Sequence, residues 1–300
     1  LLELVDDIIP FQMSHNAEAE AADLLIETQQ LSKLVDTPVV DERNYERVCL
    51  YLLRSAGLIS DPDDLYSLLS TCFSIYKVQK KYTDALRVAL LMDDTEKIAE
   101  VFAAVNDSVS KGDLPKDGQL MSGAIIRKQM AFLLARHRST FSVPDEDSDA
   151  ETLNEIIGNL QLSDVFLSVA RNMDVLEPKT AEDIYKSGKS TGVTANRGGN
   201  NNAVADSARA NLATSFVNAF VNAGYGKDKL VIEDGPGWVV RNKEHGMISA
   251  AASVGMVMLW NIDEGLNQID VFMHHSEVYV RAGALMGIGI MSSGIRNETD

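Results

Sequence analysis

The residues best suited to chemistry in this chain of 300 residues are acidic side chains near its C-terminal end. Asp263, Glu264 and Asp270 cluster with Asn267 around a turn and the helix predicted to follow it. Positions 263, 267 and 270 are spaced by four and three residues, which places them on one helical face. Two interpretations stay open, a solvated face with acids at a helix start, or an acidic patch with an apolar centre that binds a basic partner. The candidate partner-binding residues are Ile262, Asp263, Leu266, Asn267 and Asp270.

No set of side chains has the spacing that catalysis or cofactor binding requires. Gly287 and Gly289 follow no predicted strand and lack the third glycine of a dinucleotide-binding turn. His274 and His275 are adjacent and point to different sides of a helix, whereas metal ligands on a helix favour spacings of three or four. No Ser-His-Asp set or phosphate-binding loop is visible in the sequence. We therefore expect a protein that is not an enzyme and that needs no cofactor and no metal.

The chain is strongly acidic, with 44 Asp and Glu residues against 27 Lys and Arg residues and a net charge of −17. Affinity for nucleic acid or anionic lipid depends on Lys and Arg, so we expect no nucleic-acid and no membrane partner. The longest apolar run, residues 247–260, is shorter than the roughly 20 residues that cross a bilayer. An acidic surface suits basic protein partners. Cys49 and Cys72 occupy core positions of predicted helices, and such sparse cysteine fits a reducing cytosol or nucleus.

Hydrophobic spacing predicts helices through the first 180 residues or so. Apolar residues recur three and four positions apart over residues 45–56, 65–76 and 98–105, and short polar links between them favour stacked antiparallel helical hairpins. Asp61-Pro62 and Thr37-Pro38 each resemble a helix start, with a capping residue before a proline. The fold class is therefore all-α, an α-solenoid. Residues 229–232 and 238–241 could form at most one small β-hairpin.

Three polar segments interrupt the predicted helices, at residues 108–123, 144–151 and 187–202. The third is rich in Gly, Asn, Ser and Thr and buries too little apolar surface to order itself. Because the composition changes after it, we predict a helical rod over residues 1–186, a flexible loop over residues 187–203, and a different repeat array over residues 204–300.

The predicted array contains an internal repeat. Residues 249–256 (SAAASVGM) match residues 283–290 (GALMGIGI) at an offset of 34 residues, and a further predicted helix lies between the two copies. Glycine in a helix costs about 1 kcal/mol relative to alanine, so these glycines are best explained by close approach of two helix backbones. At least three repeats are expected, and we interpret the chain, which begins at Leu1, as a piece of a longer polypeptide. The predicted packing glycines are Gly246, Gly255, Gly283, Gly287 and Gly289.

Several long segments resemble one known family. They are residues 206–226 (DSARANLATSFVNAFVNAGYG), 243–256 (KEHGMISAAASVGM) and 281–290 (RAGALMGIGI), with residues 129–137 (QMAFLLARH) and 176–179 (LEPK) before them. The resemblance, from about residue 30 to the end, is to the large non-ATPase subunits of the base of the 26S proteasome regulatory particle, which carry proteasome/cyclosome repeats.

This resemblance implies a helical rod that leads into the first repeats of a closed proteasome/cyclosome-repeat toroid. It implies a non-catalytic scaffold whose partners are the AAA+ ATPase subunits, ubiquitin, the ubiquitin-like domains of shuttle receptors and a deubiquitinase, in the cytoplasm and nucleus. The turn and helix at Ile262, Asp263 and Asn267 would be an early contact region. A helical-repeat adaptor of another large complex, such as a vesicle coat or the anaphase-promoting complex, stays open as an alternative.

Overall fold

The computed structural model describes residues 2–115, 122–184, 200–233 and 235–296, and the chain divides into two compact units, Leu1–Ile157 and Gly158–Asp300. The described residues contain helices, turns and irregular links but no strand. The predicted all-α fold of helical repeats is confirmed.

Unit 1 is a succession of short antiparallel helices. Neighbouring helices pack in pairs along the chain because the links between them are short. Its helices are α1 (Leu2–Ser14), α2 (Glu18–Glu27), α3 (Lys33–Asp36), α4 (Tyr45–Ser55), α5 (Pro62–Val78), α6 (Tyr82–Leu91), α7 (Thr95–Ser110), α8 (Gly123–His137) and α9 (Ala150–Ile157).

Unit 2 contains the longest helix, α12, and the glycine-rich repeat. Its helices are α10 (Leu162–Asn172), α11 (Ala181–Ile184), α12 (Asn200–Val221), α13 (Pro236–Val240), α14 (His245–Val257), α15 (Ile262–Met273) and α16 (Val278–Met291). Helix α14 is central, since it contacts α12, α13, α15 and α16. The repeated segments lie on α14 and α16, with α15 between them, which agrees with a two-helix repeat.

One predicted helix start is confirmed and the other is wrong. The Asp61 carboxylate accepts hydrogen bonds from the backbone N–H groups of Asp63 (2.9 Å) and Asp64 (3.3 Å), and Pro62 is the first residue of α5. Thr37 instead follows the C-terminal end of the short helix α3, and residues 38–40 form no helix.

The cysteines are buried, as predicted. Cys49 on α4 and Cys72 on α5 are both inaccessible to solvent, and the Cys72 thiol lies 4.0 Å from the carbonyl oxygen of Cys49. Hydrogen bonding to Cys49, together with burial, raises the pKa of the Cys72 thiol. Both side chains therefore act as small apolar residues in the core of unit 1.

The small β-hairpin that the sequence allowed over residues 229–241 does not form. Residues 229–232 form turns, and residues 236–240 form the short helix α13, which begins at Pro236. The buried Asp228 carboxylate shapes the turn by accepting hydrogen bonds from the N–H groups of Val231 (3.0 Å) and Ile232 (2.6 Å). Val231 and Trp238 then enter the core of unit 2 from a turn and a helix rather than from paired strands.

The three polar segments differ in structure where the structure describes them. Helix α7 extends to Ser110, and residues 116–121 of the first predicted segment lie outside the described residues. Residues 145–149 of the second segment form turns before α9. Most of the third, residues 187–199, also lies outside the described residues, and α12 begins at Asn200. The domain boundary over residues 187–203 stays a prediction.

Candidate partner-binding face

Helix α15 carries the candidate residues, and its inner side fixes its position in unit 2. Ile269 and Phe272 are buried in the core, which stabilises the helix by about 1.5–3 kcal/mol for each side chain. Gly265 allows α15 to lie close to its neighbours, because a Cβ atom there would collide with the sulfur of Met291 and lie 3.1 Å from Cβ of Met258.

The first turn of α15 is capped by a reciprocal pair of hydrogen bonds. The Asn261 side-chain oxygen accepts a hydrogen bond from the Glu264 N–H (3.3 Å), and its amide nitrogen donates one to the Glu264 carboxylate (2.8 Å). Asp263 and Glu264 lie in this first turn, where the positive end of the helix dipole favours acidic side chains. The acids at positions 263 and 264 therefore stabilise the helix as well as charging its surface.

Four of the five candidate residues lie on the exposed side of α15. Asp263, Asn267 and Asp270 are exposed and share one face, as their spacing predicted, and Leu266 is 38% exposed at its edge. Ile262 is half-buried and packs against the core of unit 2, so it supports the face from beneath. Of the two predicted apolar residues, only Leu266 therefore contributes exposed apolar area to this surface.

Val271 supplies further apolar area, although it was not among the residues predicted from the sequence. Its side chain is 57% exposed, and it lies four residues after Asn267, so the same helical spacing could have identified it. His274 ends the face, 3.5 Å from the Asp270 carboxylate. We define the α15 face as Asp263, Leu266, Asn267, Asp270 and Val271.

The five predicted packing glycines occupy different environments. A Cβ atom on Gly255 would lie 2.6 Å from Cα of Gly287 and closer still to its carbonyl oxygen, and one on Gly283 would lie 2.8 Å from Cβ of Ala251. The α14 and α16 backbones therefore touch. Gly246 faces Asn242 at 3.3 Å, and nothing lies within 4 Å of the position a Gly289 Cβ would take.

The α15 face combines acidic side chains with exposed apolar area. Helix α15 carries three acids and no Lys or Arg, beside two partly exposed aliphatic side chains, which suits a partner with an apolar patch among basic residues. Within the described part of the chain, no group of three or more His, Cys, Asp or Glu side chains could hold a metal ion. None of the described helices is long and apolar enough to cross a membrane.

Comparison with known proteins identifies the family. The family described as the RPN1 N-terminal domain matches residues 1–188. The chain belongs to the RPN1 family.

The chain is 45% identical over its whole length to the 26S proteasome non-ATPase regulatory subunit 2 of Dictyostelium discoideum, of which it covers 30%. It is 40% identical to homolog A of that subunit in Arabidopsis thaliana, covering 32%, and 38% identical to the 26S proteasome regulatory subunit rpn1 of Schizosaccharomyces pombe, covering 31%. In both cases the match extends over all of this chain. The chain thus spans about a third of the length of these relatives.

Proposed function

We propose that this chain is the N-terminal rod and the beginning of the repeat array of a non-catalytic scaffold subunit in the base of the 26S proteasome regulatory particle. The observation that carries the proposal is membership of the RPN1 family, with relatives named as non-ATPase regulatory subunits of the proteasome. This membership favours the proteasome over a vesicle coat or the anaphase-promoting complex. The proposed partners include the AAA+ ATPase subunits, in the cytoplasm and nucleus.

The α15 face is the proposed docking site for a ubiquitin-like domain of a shuttle receptor, for ubiquitin itself or for a deubiquitinase. Such domains present an apolar patch among basic residues. Asp263 and Asp270 supply the opposite charge, and Leu266 and Val271 supply apolar area beside them. Ile269 and Phe272 anchor α15 in the core of unit 2. This supports the proposal, because a helix that is already fixed in place loses little conformational entropy when a partner binds.

The test is a titration of an isotope-labelled ubiquitin-like domain with this chain, followed through the amide shifts of the domain. The variant carries Asp263→Lys and Asn267→Lys. The control carries Glu27→Lys and Ser67→Lys, two exposed positions in unit 1 that give the same change in net charge. Circular dichroism checks that each protein is folded.

We expect saturable shifts on the apolar patch of the domain that persist with the control and disappear with the α15 variant. Equal shifts with both variants would remove the α15 face from the proposal and place the site elsewhere on the chain. An absence of shifts with the folded parent chain would count against a receptor site within these residues. The scaffold role would then be tested separately, by incorporation of a tagged copy into purified proteasomes.

A further inference from the structure

A second exposed surface in unit 2 follows helix α12 and differs in chemistry from the rest of this acidic chain. Arg209, Ala213, Phe216 and Phe220 are exposed and spaced by four, three and four residues, so they form one line along the helix, which we name the α12 stripe. Phe216 is 47% and Phe220 65% exposed, and their rings stack with centroids 6.4 Å apart. Two adjacent exposed aromatic rings provide apolar area that a partner could bury.

A basic pocket lies at the N-terminal end of this stripe. It is a cavity of about 260 Å³ between α12 and the start of α14, and its charged lining residues are Arg209, Arg241 and Lys243. None of the described residues that line it is acidic. Arg209 and Lys243 make no ion pair within the described parts of the chain. In a protein with a net charge of −17, this local positive charge indicates an anionic partner group.

The opposite side of α12 is held by buried hydrogen bonds, so the stripe is presented in one orientation. The Ser215 hydroxyl accepts a hydrogen bond from the Trp238 indole N–H at 2.9 Å, and Asn218 donates one to Asp228. Directly after α12, the Asn222 side-chain oxygen accepts a hydrogen bond from the Lys179 N–H, and the Asn222 amide nitrogen donates one to the Lys179 carbonyl oxygen, at 2.9 Å each. A surface fixed in this way loses little conformational entropy when a partner binds.

We propose that the α12 stripe and the basic pocket together bind an amphipathic helix of a partner protein. The apolar side of that helix covers Phe216 and Phe220, and Asp or Glu residues at one of its ends enter the basic pocket. The twelve residues from Arg209 to Phe220 span about 16 Å, which is three turns of a partner helix. Opposite charge at one end alone gives the helix a single direction on the surface. The inference is independent of the α15 face.

Selection from a displayed library of helical peptides, each about 16 residues long or four turns, tests this without assuming a partner sequence. The target is the whole chain, and the counter-target is the chain with Arg209→Glu and Lys243→Glu. The expected winners carry apolar residues three and four positions apart, followed by Asp or Glu at one end. The affinity of a synthetic winner is then measured by fluorescence anisotropy.

Two further variants separate the parts of the surface. Phe216→Ala with Phe220→Ala is expected to weaken binding of the winner by about tenfold or more, because exposed aromatic anchors dominate such interfaces. Phe132→Ala, which removes a ring of comparable exposure from α8, should leave the affinity unchanged. Raising the salt concentration should weaken binding to the parent chain more than binding to the chain with the two Glu substitutions.

Several results would overturn the proposal. They are a selection without enrichment, winners that lack an acidic end, and winners that bind the charge-reversed variant as tightly as the parent. Self-association in sedimentation experiments that disappears with the Phe216 and Phe220 substitutions would also overturn it, since the surface would then belong to a second copy of this chain.

Discussion

Replacing Gly255 by alanine should destabilise unit 2, although alanine is the better helix former. The change gains about 1 kcal/mol in helix propensity. The new Cβ atom would lie 2.6 Å from Cα of Gly287, whereas carbon atoms in contact prefer 3.5–4.0 Å, so α14 and α16 must separate by about 1 Å. Overpacking of this kind costs about 1–3 kcal/mol, and the upper part of that range, about 2–3 kcal/mol, applies here because backbone rather than a flexible side chain must move. We therefore expect a net loss of about 1–2 kcal/mol.

Two matched substitutions control for the helix propensity. Gly289→Ala on α16 should stabilise this chain by about 0.5–1 kcal/mol, because nothing lies within 4 Å of the new atom. Gly287→Ala should lie between the two, since its Cβ atom points towards the flexible end of Ile269 at 3.4 Å. The assay is hydrogen exchange of α14 and α16 amides, supported by calorimetry, because the chain has two units. The reasoning is refuted if Gly255→Ala stabilises these helices as much as Gly289→Ala does.

Three more predictions concern backbone strain and buried charge. Glu244→Gly should stabilise the protein by about 1 kcal/mol, measured by calorimetry, because Glu244 has φ 47° and ψ −118°, a region that favours glycine. Asp228→Ala should cost about 3 kcal/mol in urea unfolding, because it removes the buried acceptor of the backbone N–H groups at positions 231 and 232. Burial alone would raise the pKa of Asp147, but its ion pair with Arg127 and the hydrogen bond that it accepts from the Asp149 N–H hold that pKa below its ordinary value. The contribution of this carboxylate to the free energy of unfolding is complete above the unfolded-state pKa of about 4, and it is lost as the pH falls through the lower folded-state pKa. Asp147→Asn should therefore make the free energy of unfolding depend less on pH in acid solution.

Each of these predictions has a comparison that could contradict it. Glu244→Ala changes the charge without relaxing the backbone, so an equal gain from Ala and Gly would remove strain as the cause. Asp228→Asn keeps the side-chain size and one acceptor oxygen, and it should cost less than Asp228→Ala. If Asp147→Asn leaves the difference in unfolding midpoint between neutral and acid solution unchanged, Asp147 does not set that difference.

Helical spacing and capping chemistry were enough to predict the fold class. The apolar residues of α4, α5 and α7 face the core as their spacing required, and Asp61 caps α5 with a hydrogen bond to its first turn. Thr37 failed as a start signal because it sits directly after α3, where the chain turns. A capping residue before proline therefore predicts a start only when an apolar helical period follows it.

A small hairpin had to be allowed from the sequence because short apolar segments do not reveal their period. Val231 and Val239 are β-branched and buried, which is typical of strands, yet the core of unit 2 accepts them from a turn and from α13. The deciding interaction is the Asp228 carboxylate, which takes the N–H groups that a strand would have paired. Such a bond depends on burial that a single sequence does not display.

Sequence spacing predicted the exposed side of α15 correctly, but it did not predict how Ile262 and Gly265 pack on the inner side of the helix. Asp263, Asn267 and Asp270 lie on one exposed face, as predicted from their spacing. Ile262 was expected at the apolar centre of the exposed face, but it packs against the core of unit 2. It is the first residue of α15, and the direction of a side chain at a helix start depends on where the neighbouring helices lie. Gly265 was missed for a related reason, since its role becomes visible only when Met291 of α16 lies against it.

The register between α14 and α16 explains why Gly289 is open and yields a last prediction. The sequence repeat pairs Gly255 with Gly289, 34 residues later, but the packing brings Gly255 against Gly287. Residues 34 positions apart hold equivalent places in the two repeats. Packing instead joins the side of one helix that faces the following repeat, its outgoing side, to the side of the next helix that faces the preceding repeat, its incoming side. Leu285 is 58% exposed, whereas its counterpart one repeat earlier, Ala251, is buried.

Gly289 therefore lies on the outgoing side of α16, in the position that Gly255 holds on α14. In a longer polypeptide whose next repeat packs on that side, Gly289→Ala should change from stabilising to destabilising, by the same 1–2 kcal/mol or so expected for Gly255→Ala. Calorimetry of both lengths, with and without the substitution, measures the change of sign. If Gly289→Ala stabilises both lengths equally, the repeated glycines do not mark a repeated contact, and the close approach of Gly255 to Gly287 is peculiar to this pair of helices.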